Sequence, residues 1–166
     1  MTNRRAVLTH ESGMRFSALT GTGRTIVFGD DTEINELSPV ETVTVGLAAC
    51  SAMDVAAIMQ KKRMAFDSYT ITVEGIQRDD YPQILTTVRV LHDIAGPGVT
   101  EAAIRRCIEL SATRYCPVNA MLSAGATEIH HAYHVGGTGP KPFEAEGEVV
   151  VTGPYRRPDA VAAEAG

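Results

Sequence analysis

One stretch of this chain constrains its fold more than any other: 26 residues, 38–63, with a proline near the start and almost no charge in the middle. Ser38-Pro39-Val40-Glu41 is typical of a helix start, with Ser as N-cap, Pro in the first helical position and Glu placed to complete a capping box. At 1.5 Å per residue the predicted helix is roughly 39 Å long. Because its middle is apolar nearly all round, we expect it to be buried nearly all round.

The segments on either side of this helix are typical of short strands and shorter helices. Three apolar runs separated by glycine-containing turns precede it, which predicts an antiparallel meander. Two strands, two shorter helices and one strand follow, so helices and strands do not alternate singly and the predicted class is α+β. The predicted strands are 6–10, 14–19, 24–28, 69–74, 84–94 and 127–135, and the shorter helices start at the caps Thr100 and Cys116.

The end of the chain differs in composition from the rest. We expect residues 1–136 to form one domain, and residues 137–166, rich in Gly, Pro, Ala and Glu, to be a flexible tail. Residues 148–152 could add an edge strand there.

Composition and charge exclude several classes of protein. The net charge of −5 argues against a nucleic-acid binder, although it leaves a local basic patch open. The N-terminus lacks the apolar run of a secretory signal, and no stretch approaches 18 consecutive apolar residues, so we expect a cytoplasmic protein that does not bind membranes. Three cysteines are too few, and odd in number, for a disulfide framework, which favours catalytic or redox-sensing thiol chemistry.

The three cysteines differ in their surroundings. Cys50 lies among small residues in the long helix, where it is either an inert small hydrophobe or a sulfur with room around it. Cys116 precedes Pro117 at a predicted helix N-terminus, where free N–H groups would lower the pKa of its thiol, although such a turn also suits a structural cysteine. Cys107 has no feature beyond packing. Whether Cys50 and Cys116 reach disulfide distance is left open by their spacing.

Five short motifs follow one another in a consistent order. They are SPVE at 38–41, GLAACSAMDV at 46–55, KKR at 61–63, LSA at 110–112 and YCPV at 115–118. Over residues from about 4 to 135 the chain thereby resembles the OsmC/Ohr family, in particular its OsmC-like, YhfA-type branch. The resemblance implies an intertwined α+β homodimer, with antiparallel sheets around long buried central helices, that reduces organic hydroperoxides or hydrogen peroxide with thiols.

The resemblance also implies roles for individual residues. Cys50 corresponds to the peroxidatic thiol and Cys116 to the resolving thiol. The family uses an arginine from the N-terminal strands to hold the thiolate and the peroxide; Arg15 is the best match and Arg24 the second. The implied reductant is an external dithiol, lipoyl-type or other, and no cofactor is needed.

Two carboxylates near Cys50 carry alternative interpretations. Hydroperoxide-reducing members place a glutamate where this chain has Val40, and Glu41 lies nine residues before Cys50. Nine residues span roughly 13.5 Å and half a turn, so Glu41 and Cys50 of one straight helix cannot touch, and Glu41 is either catalytic or only part of the cap. Asp54, one turn after Cys50, would raise the pKa of the thiol unless an arginine compensates, and it could instead be bonded elsewhere.

No metal is expected, since His130 and His134 share a strand face opposite His131 and no nearby Cys or paired carboxylate completes a site.

The cysteine contexts and the resemblance together predict a thiol-dependent peroxidase. Two alternatives stay open: a non-catalytic dimer with inert cysteines that binds an apolar ligand, and a thiol oxidoreductase acting on a substrate other than peroxide.

Overall fold

The computed structural model describes residues 4–29 and 36–153. The chain divides into two compact units, Met1–Val43 and Thr44–Gly166. The first unit contains three strands and the start of the long helix. The second contains the rest of that helix, four strands and two shorter helices.

The first unit is an antiparallel meander, as predicted. Strands β1 (Ala6–Ser12), β2 (Arg15–Thr20) and β3 (Thr25–Phe28) lie side by side in chain order. Gly13 and Gly23, at the two turns, have φ of 50° and 79°, a left-handed conformation that glycine adopts without steric cost.

Helix α1 (Pro39–Lys61) begins where the sequence predicted and ends two residues earlier. Ser38 Oγ accepts the backbone N–H of Glu41 at 3.1 Å, which confirms Ser38 as the N-cap. At the other end Arg63 takes φ 54°, and the N–H groups of Arg63 and Met64 bond back to the carbonyls of Gln60 and Met59. This pair of bonds is the Schellman motif, which stops the helix.

Burial of α1 within one chain is confined to one stripe, so the prediction of burial nearly all round was wrong for the single chain. The buried positions recur every four residues, at Leu47, Ser51, Val55 and Met59. On other faces Met53 is 72% exposed and Val45 54%. By length and composition alone α1 could also cross a membrane, a test that the core helix of a soluble protein passes as well.

The second unit is built on a four-stranded sheet in the order β4-β5-β6-β7. Neighbours pair antiparallel except β5 and β6, which are parallel because the chain crosses over through two helices between them. The expectation of purely antiparallel sheets was therefore wrong for this pair. The strands are β4 (Ser68–Gln77), β5 (Leu85–Gly96), β6 (Glu128–Gly137) and β7 (Phe143–Thr152).

Strand β7 occupies part of the expected tail. It starts at Phe143, five residues before the edge strand considered from the sequence, and pairs with β6 along its length. Residues 154–166 of the expected tail lie outside the described residues.

The crossover between β5 and β6 contains two helices and the segment that joins them. Helix α2 (Glu101–Leu110) starts at the predicted cap, where Thr100 Oγ1 accepts the N–H of Ala103. It continues as a π-helical segment, Ser111–Tyr115, and is followed by helix α3 (Pro117–Ser123), whose N-cap is Cys116, as predicted. The main core joins α1, β5, α2 and β6 through Val55, Met59, Ile94, Ile104, Cys107, Ile108, Tyr133 and Val135.

Candidate active site

Cys50 is half-buried beside the buried stripe of α1. Its neighbour Ser51 is fully buried, and Ser51 Oγ lies 3.4 Å from the hydroxyl of Ser111 in the π-helical segment. Helix α1 is held to the core below this point by Val55 and Met59, each with no exposed surface. The position of Cys50 is thus set by buried residues on both sides of it along the helix, with Leu47 before it and Ser51 and Val55 after it.

Cys116 is placed by the π-helical segment. Its N–H donates to the carbonyl of Ser111 at 2.9 Å. This bond closes the wide π-helical turn that separates α2 from α3. Pro117 then starts α3, and Cys116 Sγ accepts the backbone N–H of Asn119 at 3.3 Å. Only 3% of Cys116 is exposed.

These elements bring the two sulfurs together. Cys50 Sγ, Cys116 Sγ and a carboxylate oxygen of Asp54 all lie within 4.8 Å of one another. Both cysteines are free thiols. A disulfide needs about 2.05 Å between its sulfurs, so the two free thiols are near each other without being bonded. The structure thus places the two thiols close together, whereas disulfide distance itself stays a prediction.

Asp54 lies on the same face of α1 as Cys50 and is held by the π-helical segment. Ser111 Oγ donates to Asp54 Oδ2 at 3.1 Å. Burial raises the pKa of the Asp54 carboxyl above its ordinary value, and the hydrogen bond from Ser111 opposes that rise. The charged group that the structure brings to the thiol pair is thus a partly buried carboxylate.

The pKa of the Cys116 thiol is raised, not lowered as the helix N-terminus predicted. Burial is the largest cause, and the contact with Cys50 adds to it. The backbone N–H groups of Asn119 and Val118 lower it, as the cap position implies, but burial outweighs them. Cys116 therefore favours the protonated thiol.

Arg15, Arg24 and Glu41 all belong to the first compact unit. Arg15 bonds Glu11 at 2.9 Å and also pairs with Glu36, and these two carboxylates raise the pKa of its guanidinium. The side chain of Arg24 is exposed, and so is that of Glu41, whose backbone N–H forms the cap. The catalytic roles of these three residues stay predictions.

A buried polar network behind Cys116 was not found from the sequence. Asn119 Oδ1 lies 2.9 Å from His131 Nε2, and Asn119 Nδ2 donates to the carbonyl of Ala112 and to Thr152 Oγ1. Since both amide hydrogens of Asn119 are used, its oxygen accepts from the Nε2–H tautomer of His131. The sequence signal was weak, since one histidine facing inward on a strand does not identify its partner.

The other histidines do not converge on a common point. His130 bonds Glu128 through Nε2 at 2.6 Å and Glu148 through Nδ1 at 3.0 Å, while His134 bonds Asp93 at 3.2 Å. The two carboxylates at His130 contact opposite sides of the ring. This arrangement is a set of hydrogen bonds between histidines and carboxylates on the strand surface.

The fold and the site together define a class of protein. It is an α+β protein in which a cysteine on a long helix lies beside a second cysteine that caps a later, short helix. The model of the OsmC-like protein family matches residues 29–131, and the chain belongs to that family, as its motifs predicted. Protein YhfA of Escherichia coli strain K12 is 30% identical over 123 residues, 74% of this chain and 91% of YhfA.

Two solved structures show the same fold. The crystal structure of a hypothetical protein from Aquifex aeolicus VF5 is 27% identical with a TM-score of 0.73, over 81% of this chain and 97% of that chain. That of an organic hydroperoxide resistance protein from Elizabethkingia anophelis is 17% identical with a TM-score of 0.62, over 81% of this chain and 96% of that chain. At such low identity the second likeness concerns the fold alone.

Proposed function

We propose that this protein is a thiol-dependent peroxidase that reduces organic hydroperoxides or hydrogen peroxide through Cys50 and Cys116. The observation that carries the proposal is the approach of the two free sulfurs to within 4.8 Å, from positions 66 residues apart in the sequence. A peroxidatic and a resolving thiol need this arrangement. Two cysteines with only packing roles do not.

The difference in burial between the two cysteines supports an order of reaction. Cys50 is half-buried, whereas Cys116 is 3% exposed. The raised pKa of Cys116 agrees with this order, because the thiolate is the attacking species. Cys50 is therefore the peroxidatic cysteine.

The chemistry has two steps. The Cys50 thiolate attacks the terminal peroxide oxygen, the O–O bond breaks, and the other oxygen leaves with a proton as an alcohol or as water. Cys50 is then a sulfenic acid. The Cys116 sulfur attacks the Cys50 sulfur, a disulfide forms, and the hydroxyl group leaves with the thiol proton as water. An external dithiol restores both thiols by exchange.

Asp54 supports proton transfer in the first step. Its carboxylate oxygen lies within 4.8 Å of both sulfurs, and Ser111 fixes its orientation. A carboxylate in this place takes the proton that Cys50 must lose and returns it to the departing oxygen. Arg15, with Arg24 as second choice, is the proposed guanidinium for the thiolate and the peroxide, and Glu41 is proposed to assist it.

The surroundings favour an apolar hydroperoxide. The segment of α1 before Cys50 is Gly46-Leu47-Ala48-Ala49, which offers no polar side chain to a strongly hydrated substrate.

The exposed apolar face of α1 supports a homodimer, since Met53 and Val45 stay open in one chain. We place this homodimer in the cytoplasm, in agreement with the small and odd number of cysteines in the chain.

One equivalent of cumene hydroperoxide, added to the reduced protein, tests the proposal. Thiol mapping by mass spectrometry should show rapid formation of a Cys50–Cys116 disulfide. Cys50→Ser should abolish turnover, and Cys107→Ala, at a buried position outside the site, should leave it unchanged. Slow or unselective oxidation of all three cysteines would instead support the non-catalytic dimer.

A further inference from the structure

The thiol pair and Asp54 form a three-atom donor cluster within one compact unit. Cys50 and Asp54 are one helical turn apart on α1, and Cys116 approaches them from the start of α3. Their ligand atoms lie within 4.8 Å of one another. We propose that in the reduced state this cluster binds one thiophilic divalent cation, with Zn²⁺ as the biological ligand.

The spacing suits tetrahedral coordination. With Zn–S bonds of about 2.3 Å, two sulfurs of a tetrahedral site lie about 3.8 Å apart. Donor atoms already within 4.8 Å of one another need to close by roughly 1 Å at most to reach that spacing. Three protein ligands leave the fourth position for water.

Contacts outside the cluster hold two of the three donors in place. Ser111 Oγ donates to Asp54 Oδ2 at 3.1 Å, and the carboxylate keeps further lone pairs for the cation. The N–H of Asn119 donates to Cys116 Sγ at 3.3 Å. Such bonds to the ligands of a metal fix their orientation and raise affinity. The hydrogen bond from the N–H of Cys116 to the carbonyl of Ser111 connects these two contacts within one turn of the chain.

The donor types select the kind of cation. Two thiolates prefer Zn²⁺, Cd²⁺ or Cu⁺ over Mg²⁺ or Ca²⁺, which need mostly oxygen ligands. Two thiolates and a carboxylate balance a divalent cation better than a monovalent one. Binding releases one proton from each thiol, with no change in the oxidation state of sulfur or metal.

Metal binding and disulfide formation exclude each other, because both use the same two sulfurs. If the cysteines react as proposed above, the bound cation shields them from peroxide, and oxidation to the disulfide releases the cation. This consequence depends on the proposed peroxidase, whereas the metal site itself does not.

Titration of the reduced, metal-free protein with Cd²⁺ tests the site through the ultraviolet absorption of Cd–thiolate bonds. We expect one ion per chain, and Zn²⁺ should displace it. Cys50→Ser and Cys116→Ser should remove the absorption at the first equivalent, and Cys107→Ala should keep it. Asp54→Asn preserves the hydrogen bond from Ser111 and should weaken binding by about tenfold or more.

Three outcomes would overturn the metal site: no saturable absorption, absorption that survives Cys50→Ser, or equal affinity in Asp54→Asn and the unmodified protein. Circular dichroism of each variant shows whether it is folded. The hydroperoxide experiment is made separately on metal-free protein. Rapid disulfide formation without Cd²⁺ binding would contradict only the proposed metal site. Cd²⁺ binding without disulfide formation would contradict only the proposed peroxidase function.

Discussion

His131 Nε2 donates to Asn119 Oδ1 at 2.9 Å, and both side chains are fully buried. Asn119 in turn gives its backbone N–H to Cys116 Sγ at 3.3 Å. A buried histidine on β6 is thus linked to Cys116, the proposed resolving cysteine, through one intermediate residue. This relationship makes Asn119 a positioning residue for the second step of the proposed reaction.

Asn119→Ala should slow formation of the Cys50–Cys116 disulfide while leaving oxidation of Cys50 unchanged. The substitution leaves His131 Nε2 and the carbonyl of Ala112 without their partners and should cost about 1–3 kcal/mol of unfolding free energy. Ser123→Ala, in the same short helix, also removes a buried hydrogen bond but does not contact Cys116. Equal slowing in both variants, measured by quenched-flow thiol mapping, would contradict the positioning role.

Cys116→Ser should trap Cys50 as a sulfenic acid after one equivalent of cumene hydroperoxide. Without a second sulfur nearby the sulfenic acid cannot condense, so it should be captured by dimedone. Mass spectrometry should find the adduct on Cys50. An adduct on Cys107, or none, would be incompatible with the assigned order of the thiols.

Stability should fall on acidification below pH 6.5. Burial lowers the pKa of His131 to about 4 and that of His92 to about 3, with further lowering by His130 and His131 respectively. The unfolded chain therefore binds these protons first, and the stabilisation is complete above pH 6.5 and is lost as pH falls toward the folded-state values. At pH 5 each histidine should cost about 2 kcal/mol relative to pH 8.

Urea unfolding between pH 8 and pH 5 measures this loss. His130 acts in the opposite direction, because Glu148 and Glu128 raise its pKa, but it is largely solvated and its effect is small. A constant unfolding free energy across this range would show that the buried histidines are not held neutral.

Arg63→Gly should stabilise the protein by about 0.5–1 kcal/mol. Arg63 ends α1 with φ 54°, a conformation that costs energy for a residue with a Cβ and little for glycine. Lys62→Gly, one position earlier and without positive φ, should destabilise instead. Thermal unfolding of the two variants checks the sign of each change.

Met53→Glu should dissociate the proposed homodimer. Met53 is 72% exposed on the apolar face of α1, and a carboxylate there would be buried without a partner at the interface. Gln83→Glu adds the same charge to an exposed position in the turn between β4 and β5 and serves as the control. Sedimentation analysis should find Met53→Glu monomeric at concentrations where the control is dimeric.

Much of the fold was predictable because its signals are local. Ser38, Thr100 and Cys116 each cap a helix by accepting an N–H three residues ahead, and that geometry depends on only a few consecutive residues. The parallel pairing of β5 with β6 depends on the crossover between them and has no local signature. Strand β7 was largely missed because its alternation lies in a segment whose composition is typical of disorder.

The site was predictable in its cysteines but not in its electrostatics. Two cysteines in recognisable contexts identified the pair, whereas the raised pKa of Cys116 depends on burial by elements distant in the sequence. Ser111 and Asn119 were missed for a related reason. A serine and an asparagine on helices show no periodic pattern, and their importance comes only from what they contact.

The separation of the two sulfurs along the chain has a thermodynamic consequence. A covalent link between Cys50 and Cys116 closes a loop of 66 residues and restricts the unfolded ensemble, which in the chain-entropy description is worth about 4 kcal/mol. Each turnover of the proposed reaction would thus move the protein between a less and a more heat-resistant form. Its melting temperature would then be higher in the oxidised form than in the reduced form.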